Sequence, residues 1–260
     1  MSAGTKRVTS GSIAAAPPQA WGDRASARAC VRLAATLVAV ALLGGCALGP
    51  TREDPFEPMN RVSYEVHQVV DGNIVKPIAQ AYVDYTPQII QRAIHNFFGN
   101  IDDFFSAING MLQGKGEKAG NDLGRVITNT GFGLLGLIDI ASEAGIPKGN
   151  EDFGQTFGYW GIPQGPYLFI PVFGPTTVRD GSGWIIRAYT TPISYISDVS
   201  TRNVLWSIGL LDLRASALGA EKLVQQAALD PYTFIRRSYL QRRRYLVYDG
   251  HPPPEKEDEE

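Results

Sequence analysis

The sequence predicts a mainly α protein, folded as one helical domain over residues 54–248, and three observations predict it. Apolar residues recur at three- and four-residue spacing in long stretches on either side of a short central segment. No alternating strands follow the glycine-rich run NTGFGLLGLIDIA. Gly, Pro and aromatic residues crowd into residues 145–175, where a short irregular or β segment is expected. No internal repeat is visible, and 260 residues give ample material for a core.

The N-terminus reads as an export signal. Lys6, Arg7, Arg24, Arg28 and Arg32 precede LAATLVAVALLGGC, an apolar run that fits a signal-peptide h-region and falls short of the ~20 residues needed to span a bilayer. It ends in Leu43-Gly44-Gly45-Cys46, a branched residue, two small ones and a thiol, as in a bacterial lipobox. The expected boundaries are a signal peptide over 1–45 and a lipidated tether over 46–53, with Cys46 carrying the lipid. The long basic region also fits a translation start downstream of Met1. Cys30 would leave with the signal, so Cys46 would be the sole cysteine of the mature chain, and lipidation would cap a thiol that has no disulfide partner. Several acyl chains, at ~0.8 kcal/mol per buried CH₂, make such an anchor stable.

DPFEPMNR reads as a helix start, with Asp54 as N-cap, Pro55 at the first helical position and Glu57 as capping-box partner. Met59, Val62, Val66 and Val69 give that helix an apolar face, and Gly72 is expected to stop it. Pro77 opens a short helix through Tyr82, and Thr86-Pro87 opens another. The stripe Ile94, Phe97, Ile101, Phe104, Ile108, Met111, widened by Phe98, Phe105 and Leu112, runs about 25 residues with Gly99-Asn100 as its only interruption. Such a face fits either a buried core helix or contact with acyl chains. GKGEKAGNDLGRVITNTG is a turn and a helix, in which Gly120 and Gly124 would let another helix approach. YLFIPVF holds one or two short strands confined to an edge by Pro171. Helical pattern resumes after Thr177, breaks at Pro192 and Pro231, and ends near Tyr248. Residues 249–260, HPPPEKEDEE included, form an acidic tail expected to be disordered.

Several function classes drop out. With 24 basic and 26 acidic residues the chain is no general nucleic-acid binder. Gly131, Gly133 and Gly136 have the G-x-G-x-x-G spacing, yet a helical pattern precedes them and no β-α alternation follows, so a nucleotide cradle is excluded and the glycines serve a bend or a close contact. Ser182 lies in a turn sequence rather than a nucleophile elbow. His67, His95 and His251 have no metal spacing, and His95 reads as a polar-face residue. No catalytic residue, cofactor or metal site is predicted. Arg179-Asp180 either pins a helix start or offers a bidentate grip on a lipid phosphate. Arg236, Arg237, Arg242, Arg243 and Arg244, interleaved with Tyr239, Tyr245 and Tyr248, make either a solvated basic face or an interface with anionic headgroups.

DPFEPMNR, NFFGNIDD, NGMLQG, GRVITNTGFGLLGLIDIA, DFGQTFGYWGIPQGPYLFIPVFGPTTVRDGSG and DPYTFIRRSYLQRR, in this order behind a lipobox, resemble the MlaA (VacJ) family of outer-membrane lipoproteins over about Asp54 to Leu246. The resemblance implies a helical, ring-like domain embedded in the inner leaflet of the outer membrane and anchored on the periplasmic side through Cys46; Ala47, rather than Asp, agrees with that destination. It implies a conduit and not an enzyme. Mislocalised phospholipid would leave the outer leaflet through an amphipathic channel and pass to a periplasmic phospholipid carrier, the protein being held by a trimeric porin. Asn96, Asn100, Asn129, Arg179 and Asp180 are the candidates for polar contact along that path, Phe97 and Phe98 for acyl contact, and Gly133 for a flexible wall or gate. Arg236, Arg237 and Arg243 are the headgroup-facing candidates, and the acidic tail either meets the carrier or only solvates. The alternative from another class is a structural lipoprotein that braces porins or the envelope without moving lipid.

Overall fold

A computed structural model of the chain describes residues 54–254, except for the side chains of residues 222–227. The described residues fall within one compact unit. The predicted signal peptide, Cys46, the tether and residues 255–260 of the tail lie outside them.

The fold is mainly helical, as predicted. Helices α1 (Glu57–Val70), α2 (Lys76–Tyr85), α3 (Gln88–Leu112), α4 (Gly116–Gly131), α5 (Ile140–Glu143) and α6 (Phe153–Tyr159) precede a hairpin of β1 (Tyr167–Ile170) and β2 (Gly174–Thr177). Helix α7 (Val178–Thr190), a 3-10 turn (Pro192–Tyr195), α8 (Val199–Ala227) and α9 (Pro231–Val247) complete it. The strands pair antiparallel, Tyr167 opposite Thr177 and Ile170 opposite Gly174, and Pro171 falls in the connecting turn, where its missing N–H costs no ladder bond. Helix α3 packs along α4, α2 along α8 and α6 along α7, while α9 bears on α6, α8 and β2.

Local chemistry sets the boundaries. Thr86 is extended, with ψ 128°, because it precedes Pro87, so α2 ends there and α3 begins afresh. Asp152, Thr177 and Asp230 each accept a backbone N–H from the first turn of the helix they precede, and Pro231 adds a fixed φ to α9. Gly72 does not stop the first helix. A π turn over Asp71–Val75 carries the chain into α2, because Arg214 of α8 holds the Asp71 carboxylate at 2.7 Å and Glu221 holds Lys76 at 2.7 Å. The capping box at Asp54 and Glu57 also fails to form. Asp54 is fully buried and takes hydrogen bonds from Asn60, Tyr232 and Arg236, while Glu57 pairs with Arg61 and Arg236. Its charge is worth more inside this cluster than at a solvated helix end.

Two further expectations change. Gly120 and Gly124 face open space; α3 and α4 close up at Gly110 instead, where a Cβ would lie 3.1 Å from the Ala119 Cβ. Helix α3 itself runs unbroken through Gly99-Asn100, as its long apolar stripe predicts. The ordered chain continues past Tyr248, because Lys115 and Lys118 both grip the Asp249 carboxylate and Arg244 donates to the Pro253 carbonyl.

The distribution of side chains is inverted for a water-surrounded globule. Among the described residues, buried polar and charged side chains outnumber buried apolar ones, whereas Met59, Val62, Val66, Val69, Phe132 and Leu135 stand exposed. A small aromatic core of Tyr167, Phe169 and Tyr232, flanked by Tyr64 and Tyr239, ties the hairpin to α1 and α9. Among the described residues no helix is long and apolar enough to cross a membrane.

Candidate functional site

The residues between α4 and α5 form a tight glycine-rich turn. Backbone N–H groups of Leu135, Gly136, Leu137 and Ile138 bond to the carbonyls of Thr130, Asn129, Leu134 and Gly133. Leu134 and Leu135 take left-handed φ values of 52° and 61°, which turn both side chains outward at the cost of backbone strain. Gly133 must lack a Cβ, because one would stand 2.1 Å from the Ile138 carbonyl oxygen. Phe132, Leu134, Leu135, Leu137 and Ile138 consequently project as one apolar cap. The turn does not resemble a phosphate cradle, since the N–H groups of Leu135, Gly136, Leu137 and Ile138 are all spent within it.

The three candidate asparagines all grip this turn. Asn96 donates to the Leu137 carbonyl at 3.1 Å, Asn100 donates to Thr130 Oγ1 at 2.9 Å, and Asn129 donates to Asp139 while accepting from the Ala141 N–H. Gly136 lies against Asn100, where a Cβ would meet the amide at 2.7 Å. Their immediate role is positional. Phe97 and Phe98 are half-buried and meet edge to face at 5.3 Å, and the Phe98 ring seats against Gly209 of α8.

Beneath the turn the facing sides of α3 and α4 are polar at helical spacing. Asp103, Ser106, Asn109 and Gln113 line one helix, and Asp122, Arg125 and Asn129 the other. Arg125, 3% exposed, donates to Asp103 at 2.8 Å, to both Asp139 oxygens, to Ser142 and to the Ile146 carbonyl. Burial works against its charge, but these acceptors raise its pKa all the same. Burial likewise pushes Asp139 up, and the hydrogen bonds from Ser142, Asn129 and Arg125 outweigh it, holding the carboxyl at about 2. Ser106 in turn bonds Asp122 and accepts the Glu151 N–H, and Gln113 joins Glu151 to Thr156.

The second polar cluster lies where α6, α7 and α9 meet. Arg243 of α9 bridges Asp152 and Asp180, Tyr239 donates to Asp180 at 2.8 Å, and Arg179 Nε donates to the same carboxylate at 3.0 Å. Burial disfavours the Arg243 charge, yet Asp152 and Asp180 raise its pKa. Arg236 and Arg243, expected at headgroups, therefore point inward. They are 5% and 8% exposed because Asp54, Glu57, Asp152 and Asp180 pair with them, whereas Arg237 and Arg242 do face outward. Between α6, α7 and the end of α9, Arg179, Gln164 and Arg244 line an open pocket of ≈ 300 Å³.

Sequence reasoning missed two anchors. His67, pushed down in pKa by burial, accepts the Val172 N–H at 3.1 Å and fixes the hairpin turn, and His95 pairs with Asp212 of α8 at 3.0 Å. Among the described residues no cluster of His, Cys, Asp and Glu has the geometry to hold a metal ion.

Comparison with known proteins gives consistent matches. The family model described as MlaA lipoprotein matches residues 52–246. The chain is 33% identical to the intermembrane phospholipid transport system lipoprotein MlaA of Shigella flexneri over 86% of this chain and 92% of that one. It is 31% identical to the protein of the same name in Haemophilus influenzae over 84% and 90%. A chain solved in work on the structural basis for maintenance of bacterial outer membrane lipid asymmetry superposes with a TM-score of 0.67 at 30% identity, covering 75% of this chain and 100% of that one.

Proposed function

The chain belongs to the MlaA lipoprotein family, and on that premise we propose that it moves phospholipid at the outer membrane, taking mislocalised molecules from the outer leaflet through an amphipathic path and passing them to a periplasmic phospholipid carrier. It is a conduit held in the inner leaflet by the lipid on Cys46 and docked to a trimeric porin. The relatives named for intermembrane phospholipid transport support the lipid substrate, and the solved relative supports the outer membrane as its place.

One observation carries the reading: among the described residues, buried polar and charged side chains outnumber buried apolar ones, while many large apolar side chains stand exposed. An outward Phe132, Leu134 or Leu135 costs hydration in water but gains contact among acyl chains, at ~25 cal/mol per Å² of apolar surface withdrawn. A charged headgroup crossing an apolar wall would lose its water without replacement, whereas polar walls substitute for part of it. The glycine-rich turn, with Gly133 at its root, is the wall or gate of that path; its internal hydrogen bonds make it move as a unit. No bound nucleotide is needed for direction, since tighter binding by the downstream carrier supplies the free-energy difference.

The test is outer-leaflet phospholipid in a strain lacking the protein, read with a membrane-impermeant amine-reactive probe. Exposure should rise on deletion and be restored by the wild type but not by Cys46→Ala. Unchanged exposure with altered porin assembly or envelope strength would instead favour the bracing lipoprotein.

A further inference from the structure

The pocket between α6, α7 and the end of α9 holds an arginine whose donors are only partly used. Arg179 is 8% exposed, and its single side-chain hydrogen bond among the described residues runs from Nε to Asp180. Its two terminal nitrogens, with four N–H groups between them, make no hydrogen bond to the described residues. A buried guanidinium that leaves most of its fork unspent forfeits several charge-assisted bonds unless a ligand supplies acceptors.

A second unspent donor belongs to another residue of the same lining. Gln164 lines the pocket, and its Nε2 is buried without a hydrogen-bond partner. The Arg179 N–H donates to the Gln164 carbonyl at 3.3 Å, so the two side chains are held in fixed relation by the backbone. Gly158 clears the approach, since a Cβ there would come within 2.9 Å of Arg179 Nη1. Arg244 adds a further positive charge to the lining, which contains no carboxylate, and Ile162, Pro163 and Val247 give it an apolar rim. Donors, positive charge and an apolar border together match a phosphate group attached to something greasy.

We propose that this pocket is a phosphate subsite, in which the Arg179 fork and the Gln164 amide bind the oxyanion of a phospholipid headgroup beside the apolar rim. The choice of lipid over free phosphate as the source rests on the transport reading above. Asp180 does not belong to the subsite. It accepts from Arg179, Tyr239 and Arg243, and so orients the Arg179 fork from behind.

The full-length lipidated protein in nanodiscs of phosphatidylcholine would be titrated with short-chain dihexanoyl phosphatidylglycerol and, separately, with inorganic phosphate, following ³¹P line broadening. Arg179→Gln should weaken binding of the short-chain lipid by about tenfold or more, and Gln164→Leu by a smaller factor. Gly158→Ala, which crowds Nη1 without removing a donor and also meets Val247, should weaken it too, and thermal melting of each variant separates lost binding from lost folding. Preference for the lipid assigns the subsite to a headgroup, and equal binding of inorganic phosphate assigns it to the free ion. No saturable binding of either probe, or binding unchanged in all three variants, overturns the proposal. The outer-leaflet assay fails or succeeds separately: phosphate binding with unchanged lipid exposure in the deletion strain would retain the subsite and remove the transport reading.

Discussion

Gly133 and Ile138 close the glycine-rich turn so tightly that a Cβ on Gly133 would lie 2.1 Å from the Ile138 carbonyl oxygen and 2.6 Å from that of Asn129. Both obstacles are backbone, so neither can swing aside. Gly133→Ala should therefore open the turn, at a cost near or above the upper end of overpacking, about 3 kcal/mol. Hydrogen exchange would read it: protection at Gly136 and Ile138, whose N–H groups bond across the turn, should be lost in the variant. Retained protection would mean that the turn does not depend on this contact. A cysteine at residue 133 carries the same clash, so a cross-link built there would report a broken turn rather than an arrested motion.

Most helices were legible because their signals are local. Pro87, Pro192 and Pro231 mark real boundaries, and the stripe from Ile94 to Met111 is indeed one helix. Side-chain destinations were less legible, since periodicity gives a face without saying what it meets. Met59, Val62, Val66 and Val69 share a face that stands exposed. The informative signal was the opposite stripe: Asp103, Ser106, Asn109 and Gln113 recur at three and four residues, a polar face that becomes the inside of α3. Asp54 and Gly72 misled for one reason. Local rules assign them to a cap and a stop, and Arg236 and Arg214, far along the chain, override those rules by ion pairing.

The Arg125 to Asp103 pair sets a second expectation. Both side chains are nearly inaccessible and lie 2.8 Å apart between α3 and α4. Removing Arg125 leaves the buried Asp103 carboxylate with only the partly exposed Lys148, 3.0 Å away, and takes a donor from Asp139, so Arg125→Met should destabilise by about 3 kcal/mol. The double change Arg125→Met with Asp103→Leu should recover part of that loss, because no buried charge is left unpaired at that contact. Thermal unfolding in detergent would measure both. A double variant no better than Arg125→Met would show that the wider network, Asp139 and Ser142 included, outweighs the pair.

Acid sensitivity follows from Asp139. Its ordinary value of 3.8 is lowered to about 2 in the fold, although burial alone would raise it, because Ser142, Asn129 and Arg125 donate to the carboxylate. A depressed carboxyl contributes stability that is present above the unfolded pKa and lost as pH falls through the folded one, since the unfolded chain binds the proton first. The window is therefore about pH 4 down to about pH 2. Asp139→Asn should melt below the wild type at pH 6, and the gap should narrow through that window. A gap constant from pH 6 to pH 2 would show that Asp139 acts through shape and not through charge.

The apolar cap makes the most direct statement about surroundings. Phe132 is 76% exposed and Leu135 70%, on a turn whose N–H groups from Leu135 to Ile138 are bonded within it. Phe132→Trp places a reporter at that point with little change in volume or polarity. Trp160, Trp184 and Trp206 are also exposed, so all three should first be replaced by Phe to lower the background. In vesicles containing brominated acyl chains the new indole should emit at short wavelength and be strongly quenched, because bromine quenches only at near contact. Long-wavelength emission without quenching would put the cap in water, where five neighbouring large apolar side chains would need another partner to cover them. The inverted distribution of polar and apolar groups would then mark a protein interface, and the porin would become the first candidate to test.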